Sequence, residues 1–306
     1  MLLCVRKFRV EGGFMKKSLA LFALCSLSIS SYAQMYTKVI YGTDNRMEVS
    51  EAPIFYSELA KSTAGQIAKS QMKKGFFKYS FVNPMTYQQR YNLCDGERFL
   101  DQLATTPCTA FLVGPDVLVT AGHCVPTPSS CQNSYWIFDF NVEKDGSVKS
   151  TFSSSQVVSC KEIIAQKKDP QTQNDYAVIR LNKKVKGRPF LKFRSEGTVD
   201  ERSELLVIGH PSALPTKITD KGTLRSNENP VFFQANLDTF AGNSGSPVLD
   251  AQTGLVEGIL VRGERDFVYD EKTSCYRVNT CNEGECRGED VTRITNITDI
   301  LNKALK

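Results

Sequence analysis

The chain has 306 residues, 41% of them hydrophobic, and a formal net charge of +5. That charge is concentrated at the start, where residues 1 to 33 carry Arg6, Lys7, Arg9, Lys16 and Lys17 against Glu11 and leave 33 basic against 32 acidic residues in the rest. Such a balance gives no support to a nucleic-acid or membrane-surface function, and the remaining length suffices for one large all-β domain or two medium ones.

The first segment reads as an address. Met15-Lys16-Lys17 is a short basic region, Ser18 to Ile29 is mostly apolar, and Ser31-Tyr32-Ala33 supplies small residues for a signal peptidase. We expect a cut after Ala33, with Met15 as the true start and Met1 to Phe14 as an over-extended beginning. The apolar run is about twelve residues, where a spanning helix needs roughly twenty. Phe22-Ala23-Leu24 lacks the small residue that would make Cys25 a lipid-attachment site. The expected product is exported to the periplasm or beyond, without membrane insertion of the mature chain.

Downstream, short runs rich in β-branched residues predict strands at 110–113, 117–120, 135–138, 177–179, 205–208 and 255–261. Many short strands with few helical stretches suggest β-barrels. Residues 54–68 are compatible with helix or strand, and the basic-aromatic piece Lys73 to Phe81 has no assignment. Ile297, Ile300, Leu301 and Leu305 recur at helical spacing and predict a C-terminal helix over 294–305. Cys4 and Cys25 leave with the leader. The eight that remain (Cys94, Cys108, Cys124, Cys131, Cys160, Cys275, Cys281 and Cys286) form an even set that argues for disulfides in an exported chain. Zinc is disfavoured, because no C-x-x-C pair or finger-like histidine spacing occurs.

Three segments carry chemistry. Gly242-Asn243-Ser244-Gly245-Ser246-Pro247 places a serine in a glycine-flanked turn, where the amides of Gly242 and Ser244 can both face a developing oxyanion. A serine hydroxyl needs a base near neutral pH, and the sequence offers only His123 and His210. His123 follows the apolar run 117–119 and the small residues Ala121-Gly122. Asp175 opens the apolar run 176–179 between the histidine and the serine, where it can fix the tautomer of the base. Taken alone, a Gly/Ser turn, a core histidine and a turn aspartate are the bland readings of these segments. His210 reads as structural or as part of the site's rim.

Together, Thr120-Ala121-Gly122-His123-Cys124, Asp175-Tyr176-Ala177-Val178 and the hexapeptide around Ser244 resemble the active-site blocks of trypsin/chymotrypsin-like serine endopeptidases, in that family's order. The resemblance covers roughly 105 to 265. It implies an all-β fold of two antiparallel six-stranded β-barrels with a C-terminal helix, the first over 53–199 and the second over 200–306, after an N-terminal segment at 34–52. It also implies a disulfide between Cys108 and Cys124, while the other six cysteines allow fifteen pairings. It makes His123, Asp175 and Ser244 catalytic. Asn243 replaces the aspartate that in trypsins captures a new N-terminus, and Gly-Asn-Ser-Gly-Ser-Pro is similar to the bacterial glutamyl-endopeptidase branch. Val39-Ile40-Tyr41-Gly42 resembles the mature start of those enzymes, which implies a short pro-piece ending at Lys38.

By the same resemblance Asp238 lies on the floor of the specificity pocket, Thr239 follows it, and Val261, Arg262 and Gly263 lie on the strand beside it. Asp238 favours a cationic side chain on the acyl side of the cut. Thr239 and Arg262 suit an acidic one, and Arg262 can instead neutralise Asp238. The expected partners are protein or peptide substrates, the expected state is a monomer, and nothing calls for a cofactor, a metal or nucleic acid. A catalytically silent protease-like binding protein is the alternative from another class. An α/β-hydrolase esterase is excluded by chain order.

Overall fold

The computed structural model describes residues 39–282 and 284–306, so the leader, the cut after Ala33 and the start at Met15 lie outside the described residues. Six antiparallel strands close a barrel in the order Val157–Lys168, Asp175–Leu181, Val117–Thr120, Thr109–Gly114, Thr63–Ala68 and Ser134–Phe138, the last pairing back onto the first. Side chains alternate across each strand. One set, including Ala110, Leu112, Leu118, Trp136, Phe138, Ala177 and Ile179, fills the barrel. The alternate set on the same strands, Phe111, Val117, Val119 and Val178, packs outward against Leu206, Ile208, Leu249 and Ile259 of the second half. Both faces are buried, which is why these strands read as near-continuous apolar runs.

The second half is an eight-stranded sheet ordered Leu224–Ser226, Phe232–Ala235, Glu289–Arg293, Val256–Arg262, Pro247–Asp250, Leu205–Gly209, Lys217–Gly222 and Met47–Glu48. Lys217–Gly222 and Leu224–Ser226 are one stretch of chain interrupted only at Thr223, which flanks Leu205–Gly209 on one side and Phe232–Ala235 on the other and so brings the sheet round as the expected six-stranded barrel requires. Met47–Glu48 from the N-terminal segment adds an edge strand on Lys217–Gly222. The segment 54–68 turns out to be both elements, helix Ile54–Ala60 and then strand Thr63–Ala68. The unassigned piece at 73–81 belongs to a hairpin of Met72–Lys74 and Lys78–Phe81, extended by Thr151–Ser153. At the C-terminus a 3-10 turn over Ile294–Ile297 precedes the helix Thr298–Ala304, and Ile294, Ile297 and Leu301 are fully buried.

All eight cysteines among the described residues are bridged: Cys94–Cys275, Cys108–Cys124, Cys131–Cys160 and Cys281–Cys286. The first spans 181 residues, a closure whose chain-entropy contribution is about 5 kcal/mol. No helix among the described residues is long and apolar enough to cross a membrane.

The second histidine is a structural brace. His210 is fully buried, and its ring lies parallel to Phe140 with centroids 6.2 Å apart. Nδ1 is 3.1 Å from Thr109 Oγ1 and Nε2 is 3.2 Å from Thr216 Oγ1. The Thr109 hydroxyl donates to the Gly242 carbonyl at 2.8 Å and the Thr216 hydroxyl to the Phe140 carbonyl at 3.1 Å, so each turns an oxygen lone pair toward the ring. Burial, reinforced by the charge of Lys217, lowers the imidazole pKa to about 3. The unfolded chain therefore takes up this proton near pH 6.5 and the folded chain only near 3. Stability from the neutral ring is complete above about 6.5 and declines as pH falls toward 3, by up to about 1.4 kcal/mol per pH unit. Urea denaturation across this range should give a slope shallower by about 1 kcal/mol per unit in His210→Gln than in the parent chain. Identical slopes would show that the ring is protonated without cost.

Candidate active site

His123 is held by a single carboxylate at two points. It lies in the 3-10 turn Gly122–Cys124 directly after strand Val117–Thr120, while Asp175 is the first residue of the adjacent strand Asp175–Leu181. Asp175 Oδ2 is 2.8 Å from His123 Nδ1, and Asp175 Oδ1 accepts from the His123 backbone N–H at 3.1 Å. Asp175 is almost wholly buried. Burial opposes its ionisation, but hydrogen bonding from the His123 ring, the charge of that ring and the His123 amide outweigh it and hold the carboxyl below its usual range. An ionised acceptor at Nδ1 fixes the ring proton there and leaves Nε2 as the basic nitrogen.

Ser244 lies in the turn before strand Pro247–Asp250. Its carbonyl accepts from Thr109 N at 2.8 Å, and Gly245 N donates to the Leu260 carbonyl at 2.8 Å, so the turn is tied to both halves of the fold. The Cys108–Cys124 bridge runs beneath it, with Cys124 Sγ 3.6 Å from the Ser244 carbonyl. Residues far apart in sequence thus meet at the junction: the chain neighbour of His123 touches Ser244, and His123 touches Asp175. Cys108, His123 and Cys124 are also close enough to suggest a metal cluster, but the two sulfurs are bonded to each other and supply no thiolate.

The glycines of the turn have a backbone reason. Gly242 and Gly245 have φ of +101° and +88°, a region that side chains disfavour. The Ala241 carbonyl accepts from Ser212 N at 2.6 Å. In a planar trans peptide the opposing N–H, that of Gly242, then points away from segment 210–213. Ser212 and Ala213 themselves have positive φ, +51° and +66°, an uncommon conformation for residues with a Cβ and one that clusters at functional turns. Asn243 Oδ1 accepts from the Ser246 hydroxyl at 3.3 Å, and residues 39–41 dock elsewhere. The Val39 carbonyl accepts from Thr239 N at 3.3 Å, and Ile40–Tyr41 pairs in parallel with Thr280–Cys281.

The residues expected at the specificity pocket have separate partners. Asp238 accepts from the backbone N–H of Tyr41 at 2.7 Å and of Asn45 at 3.1 Å. Burial pushes its carboxyl up to about 6, against the lowering effect of those two amides. Arg262 pairs with Asp290 at 3.0 Å and donates to the Gln173 carbonyl, so it does not neutralise Asp238. Val261 is fully buried. Thr239 donates its hydroxyl to Glu289 at 3.1 Å, and a Cβ on Gly263 would collide with the same Glu289 carboxylate. Glu289 is fully buried between these two residues. Its only local sign in the sequence is an acidic pair, Glu289-Asp290, opening an otherwise ordinary strand.

Residues 108–259 match the family described as the trypsin-like peptidase domain. Among solved structures, a Glu endopeptidase aligns with a TM-score of 0.51 and 16% identity, over 87% of this chain and 99% of that one. Human heparin binding protein aligns with a TM-score of 0.52 and 13% identity, over 86% and 96%. No curated protein sequence matches. With the barrel-and-sheet architecture, the chain belongs to the trypsin-like peptidases and is a serine endopeptidase of chymotrypsin-like fold.

Proposed function

We propose that this is an exported enzyme that cuts peptide bonds through an acyl-enzyme. The Ser244 hydroxyl attacks the scissile carbonyl carbon as its proton passes to His123 Nε2, and Asp175 stabilises the imidazolium. The same proton then goes to the leaving amine. Water repeats the sequence to release the acyl group and restore Ser244. The amides of Gly242 and Ser244 hold the oxyanion, each contributing about 3 kcal/mol to the transition state. The observation that carries this reading is the two-point hold of Asp175 on His123, next to a glycine-flanked serine. Four disulfides support export.

For the acyl side of the cut, the reading is Lys or Arg. Two carboxylates, Asp238 and Glu289, lie in the region assigned to the pocket, and Arg262 beside them is engaged by Asp290. The Glu endopeptidase neighbour keeps an acidic preference as the competing reading, and the heparin binding neighbour does the same for a silent binding protein.

A fluorophosphonate probe should label the mature chain at Ser244, with labelling abolished in Ser244→Ala and kcat reduced about 10⁴-fold or more in His123→Ala. A folded chain that takes no label would be the silent binding protein. On a peptide-amide panel, Glu289→Gln should lower kcat/KM after Lys and Arg by roughly 10- to 100-fold, with apolar residues little affected. Asp238→Ala should change the preference less, since Tyr41 and Asn45 already engage its oxygens. Preferred cleavage after Glu would reverse the assignment.

A further inference from the structure

The hairpin of Met72–Lys74 and Lys78–Phe81 carries an unusual tip. Gly75 N donates to the Lys78 carbonyl at 2.7 Å, which leaves Phe76 and Phe77 at the apex. Turn apices favour Gly, Asn, Asp or Ser. Here two phenylalanines stand in solvent, 91% and 72% exposed, with their rings edge to face at 4.4 Å. Lys73, Lys74 and Lys78 around them are exposed as well. Between Glu58 and Asp95 there is no acidic residue, while Lys61, Lys69, Lys73, Lys74, Lys78 and Arg90 are all basic.

The base of the hairpin is firm. Met72 is buried, and Phe81 packs edge to face on Phe140 and Phe152 at 5.2 and 5.3 Å. A third strand, Thr151–Ser153, flanks Lys78–Phe81. The apex is thus a convex projection on a packed base, apolar at its point and cationic on its shoulders.

We propose that this tip docks the enzyme peripherally on an anionic lipid surface. The two rings enter the acyl boundary, and the three lysines remain at headgroup level with their stems along the apolar layer. Charge complementarity specifies an anionic surface. Convexity favours a bilayer, which deforms around a projecting pair of rings, over a protein partner that would need a matching pocket. The near-zero net charge of the chain after its leader does not oppose this, because attraction acts locally, within about 8–10 Å at ordinary salt. Nor does it require a spanning helix.

The test is flotation of the mature chain with phosphatidylglycerol-containing vesicles and with pure phosphatidylcholine vesicles, alongside Phe76→Ser/Phe77→Ser and Lys73→Glu/Lys74→Glu. We expect at least about tenfold stronger partitioning to the anionic vesicles, a loss of about tenfold in each double variant, and weakening at about 0.5 M salt. Unchanged melting temperatures in both variants would exclude misfolding as the cause. Equal partitioning of the parent chain to both vesicles, no partitioning to either, or undiminished binding by the phenylalanine variant would overturn the proposal. So would tip-dependent retention on a polyglutamate resin without vesicle binding, which would assign the tip to an acidic protein.

Discussion

The site depends on one buried carboxylate that binds the same residue twice. Asp175 accepts from both the ring and the backbone N–H of His123. The ring contact sets the tautomer, and the backbone contact sets where the ring starts. Because Asp175 opens a strand paired directly with the strand that precedes His123, the carboxylate is placed by a β-ladder rather than by a loop. Such an arrangement tolerates burial of the charge only while both donors are present, since a buried anion without partners costs several kcal/mol.

The serine turn is controlled differently, almost entirely by main-chain and hydroxyl contacts. Thr109 N holds the Ser244 carbonyl, the Thr109 hydroxyl holds the Gly242 carbonyl, and Ser212 N holds the Ala241 carbonyl. His210 keeps Thr109 oriented for this task. The orientation of the Gly242 N–H is therefore a consequence of where neighbouring carbonyls are taken up. Asn243 closes a local contact with Ser246, so the turn has a side-chain tie of its own at the position where trypsins rely on an ion pair to a new N-terminus.

Much of this was legible in the sequence, and the parts that were not share a cause. Strands 117–120 and 205–208 show as apolar runs because both of their faces are covered. Val157–Lys168 carries lysines and a glutamate, and its pairing shifts register twice, so no simple alternation marks it. Lys217–Gly222 likewise looks polar, yet Lys217 is buried against Glu48 and Gln102, a compensation invisible without the fold. The segments around His123, Asp175 and Ser244 stood out in the sequence because their neighbours are constrained by backbone geometry. The added edge strand Met47–Glu48 did not, because two residues pairing with Lys217–Gly222 leave no pattern in the sequence.

The two carboxylates of the pocket region show the limit of position as a guide to role. Asp238 holds the position that the resemblance marks, yet its oxygens receive the amides of Tyr41 and Asn45, which ties it to anchoring the N-terminal segment. Glu289 holds no marked position, yet it packs under Gly263 and against Thr239, the residues expected beside a substrate side chain. A carboxylate committed to two backbone donors has less attraction left for a cation than its location suggests. The strength of preference for a basic residue should therefore follow how far each carboxylate is already engaged within the protein, and for Asp238 that engagement is with the N-terminal segment.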